Sequence, residues 1–191
     1  NHIKRFIYLS TQAVGQLGGA YSHSKELAEE CLRNSKLNWT IVRPSEVYGM
    51  CKSDTIESLC RFLRSSKILP IIGNGKYTVN PLHINDLTSF MSLLLKCDSN
   101  KSYLKTYQLN GPQPITFKAF CKEHADFYNR KQITIHLPVL LCKLILYLCN
   151  KLKITEFTLD QIDRLKMVKS NDISKASSDY LFQPRKFSHT S

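Results

Sequence analysis

The chain has 191 residues, of which 42% are hydrophobic and 22% are charged, and this composition excludes an intrinsically disordered protein. A chain of this length forms one domain, with room for a small second unit. The formal net charge is +12, yet no run of consecutive Lys and Arg exceeds two. Nucleic-acid interfaces usually show clustered cations with interleaved aromatic residues, so we expect no nucleic-acid partner.

Seven cysteines are present, an odd number, and none forms a Cys-x-x-Cys pair. This pattern argues against a disulfide framework and against a zinc site, so we expect no bound metal. No charged-then-apolar leader precedes the first residues, and a reducing, cytoplasmic location is the expectation. The longest apolar stretch, Leu137 to Leu152, is interrupted by Lys143 and Lys151 and is too short to span a bilayer. It is expected to be a surface helix that packs its apolar face on the rest of the protein, in preference to a helix lying on a membrane.

Residues 1–50 are predicted to form a strand, a helix and a second strand. The run Arg5–Leu9 contains four consecutive hydrophobic residues after Arg5, which indicates a strand buried on both faces, as in a parallel sheet. A glycine-containing loop follows, and then an apolar stripe at helical spacing predicts a helix over 21–34. Trp39–Val42 is a second buried strand, ended by Arg43-Pro44. The order and length indicate a βαβ unit.

The rest of the chain alternates helices with extended segments, so the predicted fold class is α/β with a more helical carboxyl half. The predicted elements are a helix over 54–66 capped by Ser53-Asp54, an extended stretch over 68–80 with a turn at 73–76, a helix opened by Asp86 and ending at 96, a strand over 106–109, a helix capped by Thr116 and ending at 129, an extended stretch over 133–137, a helix over 138–150, and short helices over 158–168 and 172–180.

Tyr21 and Lys25 form the candidate site, because residues four apart on a helix share one face. A lysine ammonium close to a phenol favours the phenolate and suits the phenol to proton transfer. A hydroxyl at the preceding strand end, Ser10 or Thr11, is in a position to orient a substrate oxygen, since ligands of open parallel sheets bind at the carboxyl ends of the strands.

Spacing alone is weak evidence for this site. The chain contains two other Tyr-x-x-x-Lys pairs, Tyr48/Lys52 and Tyr147/Lys151. Neither has a strand-end hydroxyl shortly before it and an apolar-striped helix after it. Without further context, Tyr21 is more readily interpreted as a half-buried aromatic residue with a solvated neighbour.

Several short motifs in a fixed order supply that context. They are Phe6–Gly15, Tyr21–Glu29, Val42–Gly49, Gly73–Lys76, Asn80–Leu87, Thr106–Leu109 with Ile115-Thr116, and Leu181–Arg185. Together they resemble the extended short-chain dehydrogenase/reductase family, the group of NAD-dependent epimerases and dehydratases. The resemblance covers nearly the whole chain, and several motifs in order are far more specific than any one of them.

The resemblance implies a role for each matching residue. Tyr21 would be the general acid/base, and Lys25 would hold the nicotinamide ribose. Thr11 matches the family's hydroxyl on the reacting oxygen, with Ser10 as second choice. The segment that lies along the nicotinamide is matched by Pro44, Ser45 and Val47. The implied cofactor is NAD or NADP, which exchanges hydride with the substrate.

The resemblance also implies an architecture: part of a Rossmann-like, doubly wound parallel sheet with a smaller, more helical substrate subdomain. Residues 1–50 match the second half of the dinucleotide-binding domain, and residues 51–191 match the mixed remainder. The family's amino-terminal Gly-x-x-Gly-x-x-Gly loop has no counterpart here, so we expect an amino-terminally truncated chain.

The implied function is an NAD(P)-dependent oxidoreductase, epimerase or dehydratase that acts on a nucleotide-sugar or another small alcohol or ketone. The loop between Thr11 and Tyr21 is shorter than in most sugar-nucleotide members, which suits the less typical branches of the family. The alternative is therefore a non-catalytic binding or accessory protein on the same fold. The family further implies a homodimer of the complete protein, built on the helix over 21–34 or over 54–66.

Overall fold

A computed structural model describes residues 5–15, 19–49, 55–152, 162–163 and 170–187. It confirms the α/β class. In these ranges the strands are β1 Phe6–Leu9, β2 Trp39–Pro44, β3 Val47–Tyr48, β4 Ile68–Ile72, β5 Thr78–Val79, β6 Leu82–His83, β7 Lys105–Leu109, β8 Ile115–Thr116 and β9 Ile133–Leu137. The helices are α1 Gly19–Arg33, α2 Thr55–Ser65, α3 Ile84–Lys96, α4 Phe117–Phe127, α5 Val139–Lys151 and α6 Ser174–Tyr180, with a 3-10 turn at Ser99–Ser102.

The main sheet has three parallel strands in the order β1-β2-β7. The central strand β2 is almost wholly buried, which accounts for its continuous run of apolar residues. Strand β1 is at the edge of the described sheet, and its Phe6 and Leu9 are partly exposed. The βαβ unit predicted from residues 1–50 is therefore present, with α1 connecting β1 to β2.

Successive residues of β2 point to opposite faces of this sheet. Ile41 is fully buried in a small cluster with Leu32 of α1. Val42 is fully buried in a larger cluster on α3, which we call the first core. At its centre Phe90 makes edge-to-face contacts with three aromatic rings, at centroid distances of 5.4–5.5 Å, from Tyr107, Tyr180 and Phe182.

A second core lies between α2, α4 and a two-stranded parallel sheet of β4 and β9. Leu63, Ile71 and Cys121 are fully buried in it. The two short pairs β3-β6 and β5-β8 lie beside these elements. The main sheet includes β7, at residues 105–109, so it draws on both sides of the boundary at residue 50. That domain division stays a prediction.

Helix α3 begins two residues earlier than predicted. The ring of His83, rather than Asp86, caps it by accepting a hydrogen bond from the Asn85 backbone N–H at 3.0 Å. Asp86 is buried in the first turn, where it accepts hydrogen bonds from the Arg185 backbone N–H and Nε at 2.9 and 2.8 Å. A buried carboxylate needs such partners, which explains why Asp86 bonds to the carboxyl-terminal segment instead of capping its own helix.

The other predicted caps have different outcomes. Thr116 caps α4, because its Oγ1 accepts a hydrogen bond from the Ala119 backbone N–H at 3.2 Å. Asp54, the predicted cap of α2, lies outside the described residues. So does most of the short helix predicted over 158–168.

We predict that Leu94→Ala lowers the free energy of unfolding by about 2–5 kcal/mol, because Leu94 is fully buried in the first core. Its neighbour Leu95 is 71% exposed, so Leu95→Ala should change that free energy by less than about 0.5 kcal/mol. Urea denaturation followed by circular dichroism measures both values. Equal losses of unfolding free energy in the two variants would contradict the finding that Leu94 faces the core and Leu95 faces solvent.

Candidate functional site

The chain continues alongside β2 after β1 ends. The backbone N–H of Ser10 donates to the Val42 carbonyl at 2.8 Å, and that of Gln12 donates to the Pro44 carbonyl at 3.2 Å. Two of the predicted site segments, at Ser10-Thr11 and at Pro44, therefore lie side by side. They lie at the carboxyl ends of parallel strands, the edge where open α/β sheets bind their ligands.

The first turns of α1 are attached to the same edge. The Ser22 hydroxyl donates to the Ala13 carbonyl, and the Lys25 ammonium donates to the Leu9 carbonyl at 3.0 Å. Lys25 Nζ also lies 5.0 Å from the centroid of the Tyr8 ring. Tyr21 is one turn before Lys25 on α1 and is 44% exposed. The helix thus places both residues of the predicted pair at the carboxyl end of β1.

The two strand-end hydroxyls have different environments. Ser10 is buried, and its hydroxyl donates to Glu29 Oε1 at 2.6 Å. Thr11 is half-buried, and its Oγ1 accepts a hydrogen bond from the Ala13 backbone N–H at 3.3 Å. The Ser10 hydroxyl uses its hydrogen atom in the buried bond to Glu29, whereas the Thr11 hydroxyl accepts its bond and so keeps its O–H donor available. Of the two hydroxyls, that of Thr11 is therefore the one whose donor remains available to a ligand.

Glu29 is a buried charge beneath this edge, and the sequence motifs do not single it out. Its side chain is 3% exposed and accepts hydrogen bonds from Arg43 Nε at 2.8 Å and Nη2 at 2.6 Å. Arg33 Nη2 approaches it at 3.2 Å. Burial acts to raise the pKa of Glu29, but the hydrogen bonds from Arg43 and Ser10 outweigh it, so the pKa is lowered overall. The carboxylate is charged and links α1 to β1 and β2.

One signal in the sequence indicates this position. Glu29 follows Lys25 by four residues, so both lie on the face of α1 that contacts the sheet. Arg43 immediately precedes Pro44 at the end of β2. A glutamate in a helical pattern is usually a solvated residue, and only the tertiary structure shows that Arg43 reaches it.

The segment that begins at Pro44 is fixed on two sides. The Ser45 backbone N–H donates to the Leu109 carbonyl of β7 at 2.9 Å. The Ser45 hydroxyl donates to the Asn80 carbonyl at 2.5 Å. Pro44 is buried, and Val47 is half-buried. The three residues predicted to border the nicotinamide therefore lie in one rigid segment between the ends of β1 and β7.

Amide side chains complete the polar surface below this edge. Gln12 Nε2 donates to Asn110 Oδ1, and Asn110 Nδ2 donates to the Ser170 carbonyl at 2.9 Å. Asn80 Nδ2 donates to Asn171 Oδ1 at 3.1 Å. These bonds connect the end of β1 with the residue that follows β7 and with residues 170–171. The segment before α6 is thus held against the site.

The other two Tyr-x-x-x-Lys pairs lack this setting. Tyr48 is buried against the rings of His83 and Phe187, at centroid distances of 5.0 and 4.7 Å. Its partner Lys52 lies outside the described residues. Tyr147 is an exposed residue of α5, a helix outside the βαβ unit. Of the three pairs, Tyr21/Lys25 alone lies, in the described structure, on a helix that begins at the carboxyl edge of the main sheet.

The residues at this edge fit one end of a dinucleotide. A lysine ammonium carries three N–H donors, and among the described residues Lys25 uses one, on the Leu9 carbonyl. No described carboxylate pairs with it. The remaining donors suit vicinal hydroxyls such as those of a ribose. No group of His, Cys, Asp or Glu within the described ranges could hold a metal ion.

No protein-family model matches the chain. NADH dehydrogenase (ubiquinone) 1 alpha subcomplex subunit 9, mitochondrial, from Arabidopsis thaliana is 27% identical to it over 151 residues. The match covers 74% of this chain and 37% of the plant protein. The chain therefore spans little more than a third of this relative.

Solved structures share the fold. UDP-glucuronic acid 4-epimerase from Bacillus cereus in complex with NAD matches 97% of this chain and 55% of its own, with a TM-score of 0.65 and 18% identity. RMD from Pseudomonas aeruginosa complexed with NADPH matches 95% of this chain and 61% of its own, with a TM-score of 0.63 and 15% identity. The Rossmann-like fold of NAD-dependent epimerases and dehydratases, which the motifs indicated, is confirmed.

We predict that Glu29→Gln lowers the free energy of unfolding at neutral pH by about 3 kcal/mol, because Arg43 loses its buried counter-charge. The folded pKa of Glu29 lies below its ordinary value of 4.5. The stabilisation is therefore complete above the unfolded pKa and is lost as pH falls through the folded pKa. The free energies of unfolding of the variant and the wild type, measured by denaturant titration, should therefore become more similar as the pH is lowered through the acid range.

Glu30→Gln is the matched control, since Glu30 is exposed on the same helix. It should leave stability within about 0.5 kcal/mol of wild type. A loss of stability in Glu30→Gln equal to that in Glu29→Gln would refute the role of the buried ion pair.

Proposed function

We propose that this chain carries the catalytic half of an NAD(P)-dependent oxidoreductase, epimerase or dehydratase. Its substrate is a nucleotide-sugar or another small alcohol or ketone. The observation that carries the proposal is the convergence of Tyr21, Lys25, Thr11 and the Pro44–Val47 segment at one edge of a parallel sheet. That edge belongs to a fold whose solved examples bind NAD or NADPH.

Each residue has a defined task in this proposal. The Tyr21 hydroxyl gives a proton to the substrate oxygen in one direction and takes it back in the other. Lys25, one helical turn from Tyr21, binds the nicotinamide ribose. Thr11 donates its hydroxyl hydrogen bond to the same substrate oxygen and so orients it. NAD(P), when bound, supplies the hydride chemistry.

The elements around these residues fix their positions relative to one another. Glu29 fixes α1 against β1 and β2, so Tyr21 and Lys25 keep their position relative to Thr11. Pro44, Ser45 and Val47 form one wall of the nicotinamide site, held by hydrogen bonds to β7 and Asn80. Pre-organised groups of this kind lower the barrier because they need little reorganisation during the reaction.

The finer assignments are part of the same proposal. One structural neighbour is in complex with NAD and the other with NADPH, which supports NAD or NADP as the cofactor without deciding between them. A nucleotide-sugar substrate is supported by the fold shared with the UDP-glucuronic acid epimerase. A homodimer of the complete protein and a cytoplasmic location stay predictions, although the name of the plant relative includes the word mitochondrial.

A second function is favoured by a different observation. The plant relative is by name a subunit of NADH dehydrogenase, a larger assembly. The short loop between Thr11 and Tyr21 suits a member that has exchanged turnover for binding. In this alternative the chain is an accessory protein whose nucleotide site serves stability or assembly instead of catalysis.

We predict that Tyr21→Phe in the full-length protein abolishes turnover, because the hydroxyl that exchanges the proton with the substrate is removed. The fold and the cofactor affinity should stay unchanged, since Tyr21 is exposed. Turnover is measured as the change in NAD(P)H absorbance or as product formation with a panel of UDP- and dTDP-sugars. Tyr147→Phe, which changes an exposed tyrosine on α5, is the control and should keep wild-type rates.

The same assay separates the two functions. Turnover by wild type that survives in Tyr21→Phe would contradict the proposed acid/base. Tight cofactor binding with no turnover on any substrate, and no difference between wild type and Tyr21→Phe, would favour the accessory protein.

A further inference from the structure

Helix α5 presents an apolar face to solvent, contrary to the expectation that it packs this face on the rest of the protein. The outward side chains are Leu140, Leu141, Leu144, Ile145, Tyr147, Leu148 and Leu152. Their exposed fractions run from 43% at Leu141 to 82% at Leu140. At 100° per residue these positions cover one continuous side of the helix, with Lys151 at the same side near its end.

The opposite side of α5 contacts the protein. Val139 lies against Gly73, with its Cγ2 3.5 Å from where a Cβ on that glycine would be. Lys143 on this side pairs with Asp163 at 2.7 Å. The half-buried positions 139, 142, 143, 146 and 150 all lie on it. The exposed leucines are therefore the outer face of an attached helix, and no described residue covers them.

A second exposed apolar surface lies on β9, the strand that directly precedes α5 in the chain. Ile133 and Ile135 of β9 are exposed on one face of the two-stranded sheet, and Ile68 of β4 pairs with Ile133 there. Scattered single apolar residues are normal on protein surfaces, but a run of this extent marks an interaction site. The helix is 13 residues long, about 20 Å, and is not among the helices that could cross a membrane.

The charges around this face identify its partner. Residues 127–155 contain no Asp or Glu, and their basic residues are Arg130, Lys131, Lys143, Lys151 and Lys153. A second copy of the chain would bring the same positive charge to the contact, and its charge would repel the first. An apolar face that also carries Lys151, with which no described carboxylate pairs, fits a lipid bilayer, whose interior is apolar and whose headgroups are anionic.

We propose that α5 docks the protein in the plane of a lipid bilayer that contains anionic lipids. Its leucine face enters the boundary between headgroups and acyl chains. Lys151 contacts the lipid phosphates. The candidate catalytic edge lies on the main sheet and is not part of the docking face.

The test is co-sedimentation of the full chain with vesicles of two compositions, phosphatidylcholine alone and phosphatidylcholine with about one-third phosphatidylglycerol. Wild type should bind the anionic vesicles more tightly. The double variant Leu144→Ser/Leu148→Ser should lose about tenfold or more in affinity, because two apolar contacts are removed. Lys151→Gln should lower the affinity for anionic vesicles about fivefold and leave the affinity for neutral vesicles unchanged.

The matched control is Leu93→Ser/Leu95→Ser, which changes two exposed leucines on α3 and should bind like wild type. Circular dichroism checks that both double variants keep the fold. Wild type that does not bind vesicles would overturn the proposal, as would equal binding by all variants. Self-association in sedimentation velocity that Leu144→Ser/Leu148→Ser abolishes, with no vesicle binding, would overturn it in favour of a second copy.

Discussion

The buried ion pair of Glu29 with Arg43 is the interaction on which the candidate site depends. Glu29 accepts hydrogen bonds from Arg43 on β2 and from Ser10 at the end of β1, and it projects from the helix that carries Tyr21 and Lys25. One carboxylate thus fixes three separate segments. Burying a charge is costly unless it is paired, so removing either partner would destabilise all three attachments at once.

This constraint explains how polar groups are divided between structure and chemistry at the sheet edge. The inward hydroxyl, on Ser10, and the amides of Gln12 and Asn110 are used in hydrogen bonds that hold the strand ends together. The outward groups, on Thr11 and Lys25, retain donors. A site built in this way keeps its geometry without using the groups that the proposed reaction needs.

The sequence was sufficient for the fold class and most local elements, because apolar periodicity and motif order carry that information, while the roles of Tyr21 and Lys25 stay predictions. It was insufficient where partners are distant in the chain. Glu29 and Arg43 are 14 residues apart, and Asp86 and Arg185 are 99 apart, so neither contact has a local signal. The orientation of α5 was also predicted wrongly. Its apolar residues implied burial, but periodicity defines a face without saying what covers it.

The measurement that tests the central claim most directly is calorimetric titration of NAD and NADP into the full-length protein and its Lys25→Met variant. Lys36→Met, an exposed lysine beyond the end of α1, serves as the control. If Lys25 holds the ribose, its loss should weaken binding by about tenfold or more, since a hydrogen bond to a charged group is removed, and Lys36→Met should bind like wild type. Equal affinities for wild type and Lys25→Met, or no binding of either nucleotide, would contradict the assignment of this edge as the cofactor site.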